Sequence, residues 1–307
     1  MRSVETILSD LSLPRGDAHD LPTSRKRFPD GGQYRIEIPS CEGPIALQAV
    51  IDEARDRSVP LHRVSQGSGI MLQTDEEIRR MVALGRDHGV EVCLFVGPRA
   101  NWDVGVQAQS SSGRVIGSSL RGADQLRYGL EDVRNALSLG IRSVLVADVG
   151  QLMVLGRMKA AGDLPADFVL KVSVTLAAAN PATARVLEDL GATSINLPVD
   201  LSIAQIAAIR QAIDAAIDFY VEAPDDFGGT VRYYEIGEIV RVAAPIYMKF
   251  GVRNAPGLYP AGRHLESTVV ALSRERVRRA AIGLALLART APDTIGSPTI
   301  DAHFSSR

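Results

Sequence analysis

The stretch SVLVADVGQLMVLGRMKAAGDLPADFVLKVSV, residues 143–174, decides the fold. SVLVAD (143–148) is a short apolar run ending in a carboxylate, and a helix-like segment follows to about residue 161. FVLKVSV (168–174) is a second such run. Runs that are apolar on both faces mark strands buried on both sides. Two of them joined through a helix must lie parallel, because a tight turn can join only antiparallel strands.

The same unit repeats outward in both directions. Strand-like runs are YRIEI (34–38), VPLHRVS (59–65), VEVCLFV (90–96), TSINL (193–197), DFYVEA (218–223) and PIYMKF (245–250). Helical signals separate them. Pro44 suits a first turn, and Thr74 with Glu77 forms a reciprocal capping pattern. A helix spans 123–139, and Asn180 caps another over 181–190. Ser202 caps a series in which Ile203, Ile206, Ile209, Ile213 and Ile217 recur at helical spacing. Further helices are expected over 234–242 and 265–287. Eight strand–helix units predict a closed (β/α)8 TIM barrel in a single α/β domain. An open doubly wound sheet is the alternative, but no strand leads into GxGxxG and no GxxxxGK[ST] occurs. The expected organisation is an N-terminal arm over 1–30, broken by Pro14, Pro22 and Pro29, the barrel over 31–290, and a polar tail over 291–307.

Charge narrows the partners. The formal net charge is -2 and no Lys/Arg block stands out, so nucleic acid is not expected to bind through a basic face. No run of 18 apolar residues suggests a membrane span. The opening MRSVETILSDLSLPRGDAHD lacks a secretory pattern, so the expected location is cytoplasmic. Cys41 and Cys93 are then read as reduced thiols. The expected partner is a small molecule or short peptide, and a homo-oligomer stays open.

In a barrel the chemistry sits at the carboxyl ends of the strands. Glu37, Lys171, Glu222 and Lys249 each place a charge in an otherwise apolar strand, where it must be paired or hydrated. These four, with His62 as a base near neutral pH, are the candidate catalytic residues. Strand alternation places Lys171, Glu222 and Lys249 in one pocket, with Glu37 and Arg253 at its edge. Arg63, Ser65, Arg99, Asn101, Asp148, Asn196, Arg253 and Asn254 are the candidate substrate-binding residues. Arginine forks match carboxylates and phosphates, so an anionic substrate is expected. SQGSG (65–69) offers backbone N–H groups to an oxyanion or phosphate. The long segment 97–121, which holds Trp102, is expected to cover the barrel mouth or to reach a partner subunit. No residue is assigned as a metal ligand. A divalent metal stays open, since Glu37, Asp148, Glu222 and His62 would together offer hard ligands.

YMKFGVRNAP (247–256) resembles the lysine-then-glycine-arginine segment of the U32 peptidase-like proteins, the collagenase-like proteases. The resemblance implies a barrel-type fold, and peptidase activity with Lys249 and Arg253 near the site. Several members resemble hydroxylation or RNA-modification factors with an iron–sulfur cluster held by four cysteines. With two cysteines, no cluster is expected here. Two reaction classes therefore stand open. One is a hydrolase acting on a small anionic or amide-containing substrate, with Glu37, Glu222 or His62 activating water. The other is a lyase or aldolase that uses a Schiff-base lysine or a divalent metal. A non-enzymatic binding barrel is a third reading.

Overall fold

Eight parallel strands pair in sequence order, and the last pairs with the first, which closes the barrel. The computed structural model describes residues 2–10, 20–102, 105–113 and 116–299. The strands are β1 Tyr34–Pro39, β2 Arg63–Ser65, β3 Glu91–Phe95, β4 Ser143–Val146, β5 Val169–Val172, β6 Ser194–Asn196, β7 Ala216–Glu222 and β8 Ile246–Phe250. The outer helices are α1 Pro44–Asp56, α2 Asp75–His88, α3 Gly122–Ser138, α4 Val149–Ala161, α5 Pro181–Asp189, α6 Ile203–Ala212, α7 Ile236–Ala243 and α8 Glu266–Thr290. The expected (β/α)8 architecture is therefore present.

Local chemistry sets the helix ends. Thr74 and Glu77 form the full capping box on α2, and Gly89 ends that helix in the left-handed conformation. Ser202 and Gln205 do the same at the start of α6. The isoleucine periodicity overruns this helix, however. α6 stops at Ala212, while Ile213 is already extended and Ile217 lies in β7. The buried Arg210 donates to the carbonyls of Ile213 and Ala215, and Glu188 accepts from the backbone N–H of Asp214 at 2.6 Å. These contacts turn the chain out of the helix.

One face of every strand packs under the helices. Ile36, Leu94, Val144, Leu170, Phe219, Met248 and Phe250 belong to this continuous apolar shell. Each such side chain contributes about 1.5–3 kcal/mol by leaving water. The inner face is different. Glu37, Arg63, Lys171, Asp218 and Lys249 are all buried inside the barrel.

The amino end of the barrel is covered by chain on both flanks. Phe28 is buried, with the Arg35 guanidinium over its ring at 4.2 Å. Ser24 N–H donates to the Arg241 carbonyl at 2.9 Å, and Ser297 N–H to the Tyr34 carbonyl at 3.0 Å. Among the described residues, no helix is long and apolar enough to cross a membrane.

Candidate active site

The polar interior is built around Glu37, which register places between Lys249 of β8 and Arg63 of β2. Its Oε2 accepts from Lys171 Nζ in a short contact and from Arg63 Nη1 at 3.4 Å. Its Oε1 accepts from Ser65 Oγ at 2.6 Å and lies 3.5 Å from Lys249 Nζ. Asp218 is the second hub. It accepts from Arg63 Nη1 at 2.8 Å and from Ser194 Oγ, and lies 3.7 Å from Lys171 Nζ. Arg63 also reaches Glu91 at 2.8 Å and stacks on the Tyr247 ring at 3.5 Å. Three cations thus face Glu37, Asp218 and Glu91, which offsets the cost of burying each charge.

The two central carboxylates titrate in opposite directions. Burial alone would raise the Glu37 carboxyl, but Lys171, Lys249 and Arg63 outweigh it and hold it well below the usual carboxylate range. For Asp218 burial wins, and its carboxyl is raised despite Lys171 and Arg63.

Above this network a cavity of about 570 Å³ opens at the carboxyl ends of the strands. Lys249, Asn196 and Ser65 reach it from the barrel, and Ser173 and Tyr220 lie beside them. Lys249 Nζ donates to Asn196 Oδ1 at 2.8 Å and lies 4.1 Å from the centre of the Tyr220 ring. Asn196 Nδ2 donates to the Val172 carbonyl at 3.0 Å, which fixes the amide so that its oxygen faces the lysine. Lys171 does not line the cavity and is fully buried with its acids. The upper wall carries Arg99, Asn101, Trp102 and Tyr259. Ala108, Gln109 and Ser118 of the same segment also line the cavity; residues 103, 104, 114 and 115 lie outside the described set.

Several candidate residues lie elsewhere. Glu222 does not share the lysine pocket. A register shift between Tyr220 and Glu222 inserts one residue, so Glu222 pairs with the outward-facing Phe250. It accepts from Tyr233 Oη at 2.6 Å, from Arg279 at 3.2 Å and from Arg253 N–H at 2.9 Å. His62 sits at the amino end: Nδ1 accepts from Ile36 N–H at 3.0 Å and Nε2 lies 3.0 Å from the Ser297 carbonyl. Burial lowers its pKa, as suits a neutral, fully bonded ring. Asp148 caps α4, accepting from Gln151 N–H at 2.8 Å and Leu120 N–H at 3.0 Å. Arg253 lies 3.6 Å from Asp225, and Asn254 N–H donates to Asp225. Arg63 belongs to the deep network and not to the cavity. With Glu37, Asp148, Glu222 and His62 on different sides of the wall, that ligand set is not assembled. Among the described residues, no three His, Cys, Asp or Glu side chains converge as a metal site.

The SQGSG loop is also occupied. Glu42 accepts from Gly67 N–H at 2.6 Å and from Ser68 N–H at 3.0 Å, so those amides face a protein carboxylate. Burial raises the Glu42 carboxyl, while these donors oppose the shift.

Asp218, Tyr220, Glu42 and Tyr259 escape a reading of the sequence. Asp218 reads there as the polar start of a strand, yet it shares alternation with Tyr220, which pairs with Lys249. That parity was the available signal. Tyr259 lies nine residues past β8 and nothing local marks it.

Comparison with known proteins adds a partial match. A model for Peptidase family U32 matches residues 118–223, less than half the chain. A U32 peptidase, Mk0906, is 20% identical over 69% of this chain and 74% of its own, with TM-score 0.40. A structure named as a fructose-1,6-biphosphate aldolase from Coccidioides immitis is 11% identical, covering 89% of this chain and 94% of its own, with TM-score 0.51. One named as a lyase/mutase from Burkholderia cenocepacia J2315 is 14% identical, covering 86% and 85%, with TM-score 0.45. No curated protein matches. At these identities the likeness is one of fold, a barrel shared by several distantly related enzyme families.

Proposed function

We propose that the carboxyl-end cavity is the active site of a lyase- or aldolase-type enzyme acting on a small carbonyl compound, with Lys249 as the imine-forming amine. One observation carries this reading: Lys249 is the cation of the buried network whose side chain reaches the cavity, held there by Asn196. Its chemistry needs an amine at a fixed position beside a bound carbonyl. Nζ first gives up a proton to solvent. It then forms a C–N bond at the carbonyl carbon, and the carbonyl oxygen takes up protons and leaves as water. The resulting iminium draws electrons from the adjacent C–C or C–H bond to give an enamine, the fragment leaving as a carbonyl compound or the proton passing to water. Protonation of the enamine carbon by water and hydrolysis of the imine then free Nζ. Asn196, the Tyr220 face and Glu37 hold the nitrogen in place through these steps. Glu37 neutralises the lysines beneath, and its lowered pKa makes it a fixed counter-charge rather than a proton acceptor.

Borohydride trapping tests this. The full chain, reduced in the presence of a panel of small aldehydes and 2-oxo acids, should gain the mass of one reduced adduct. Peptide mapping should locate it at Lys249, and Lys249→Met should gain none. A wild-type protein with no adduct, or a Lys249→Met protein with the same adduct, overturns the reading.

A hydrolytic reading is supported by the U32 family match over residues 118–223. It needs a base at the cavity, and among the described residues the carboxylate on the lining is the exposed rim residue Asp226. Under this reading Asp226→Asn abolishes cleavage of short peptides, and Lys249→Met leaves cleavage in place.

A further inference from the structure

We infer that the cavity selects a singly charged carboxylate, gripped by Arg99, and rejects phosphorylated ligands. The inference rests on the reading of this cavity as the active site and names the class of its substrate.

Arg99 is a prepared cation. It is 7% exposed, and among the described residues no carboxylate pairs with it. Its guanidinium lies 3.4 Å from the centre of the Phe95 ring and 4.0 Å from that of Trp102. With aromatic rings against it, its remaining bonds lie in its own plane. Nη2 donates to the Gly67 carbonyl at 2.5 Å, and among the described residues Nε has no partner. Burial lowers its pKa to about 10, so it remains a cation at neutral pH, at a cost that a bound anion would relieve. A planar cation with in-plane donors matches a carboxylate.

Phosphate needs more, usually several backbone N–H groups at a loop or a helix start. In barrels such groups often come from the loops after the seventh and eighth strands. Here the protein's own carboxylates occupy such groups after β2, at the start of α4 and after β8. Glu42 takes Gly67 and Ser68 N–H after β2. Asp148 takes Leu120 and Gln151 N–H at the start of α4. After β8, Glu222 takes Arg253 N–H and Asp225 takes Asn254 N–H. A phosphate dianion would meet filled, negatively charged donor sites, whereas a carboxylate at Arg99 displaces nothing.

Trp102 is the only tryptophan, so its fluorescence reports on Arg99 directly. Titration of the full chain with pyruvate should give a saturable change. Acetone, of similar size and uncharged, should give none, and inorganic phosphate or dihydroxyacetone phosphate should neither mimic pyruvate nor compete with it. Arg99→Met should weaken pyruvate binding at least tenfold, with Arg99→Lys recovering part of it. Since Trp102 loses a neighbour in Arg99→Met, calorimetry gives the second measurement of affinity. If that variant fails to fold, the wild-type comparison of pyruvate, acetone and phosphate still decides. Phosphate binding as tight as pyruvate, no pyruvate response, or unchanged affinity in Arg99→Met overturns the inference. Lys249→Met separates the two proposals: it should still bind pyruvate while forming no borohydride adduct.

Discussion

Glu222 and Lys249, which strict strand alternation would place in one pocket, lie on opposite faces of the barrel wall. The cause is the one-residue shift in β7 between Tyr220 and Glu222. Lys249 joins Glu37 and Asn196 inside, while Glu222 joins Tyr233 and Arg279 under α8. Glu222→Gln is therefore predicted to cost stability, about 1–3 kcal/mol, and to leave adduct formation at Lys249 intact. Thermal unfolding and mass spectrometry check the two halves. Loss of the adduct in a folded Glu222→Gln protein would place Glu222 in the chemistry instead.

The two interior lysines should separate in the same way. Lys171 holds Glu37 and Asp218 where no water reaches. Lys171→Met takes from Glu37 its nearest cation and leaves Asp218 with Arg63 and Ser194, and should cost about 3–5 kcal/mol, read as a lower denaturation midpoint. Lys249→Met should cost less, since Glu37 keeps Lys171, Arg63 and Ser65. Equal destabilisation by the two substitutions would show that Lys249 is structural.

His62 makes stability depend on pH below neutrality. Its folded pKa is lowered by burial, with Asp30 and Arg35 nearby, from the ordinary 6.5. The unfolded chain therefore binds the proton more readily. The contribution of the neutral ring is fully present above that value and is lost as pH falls through it toward the lowered folded pKa. Melting temperature should drop between pH 7 and pH 5, and His62→Gln should flatten that part of the curve. A variant with the wild-type slope would assign the dependence to another group.

Gly67 has a steric role that is easily tested. A Cβ there would stand 2.3–2.6 Å from ring atoms and the hydroxyl of Tyr259, which bonds Ser40 over the cavity. Gly67→Ala should cost about 1–3 kcal/mol through this clash, and Tyr259→Ala in the same chain should recover part of it. Strictly additive costs in the double variant would remove the clash from the account.

Much of the fold was legible because it rests on local rules. The Thr74–Glu77 box and the Asn180 and Ser202 caps appear in the structure as the sequence suggests. The site was legible in part. Lys171, Lys249 and Glu37 stood out as charges in apolar strands, and they do meet inside. Glu222 broke the same rule for another reason, and sequence offers no way to tell an inner charge from one paired beneath a helix.

By itself, the sequence determined the (β/α)8 order, since parallel strands alternating with capped helices have few ways to bury both sheet faces. It also determined that several charges must find partners inside. Only the tertiary structure decided which partners. The shift in β7 reversed the face of Glu222, His62 was bonded to the C-terminal chain, and Glu42 filled the SQGSG loop. Among the described residues, Arg99 lines the cavity with no carboxylate in ion-pair contact. Each of these outcomes depends on groups far apart in the chain meeting at hydrogen-bond distance. Periodicity carries no information about that, because it reports the face a residue takes within its own element and not what closure of the barrel brings opposite.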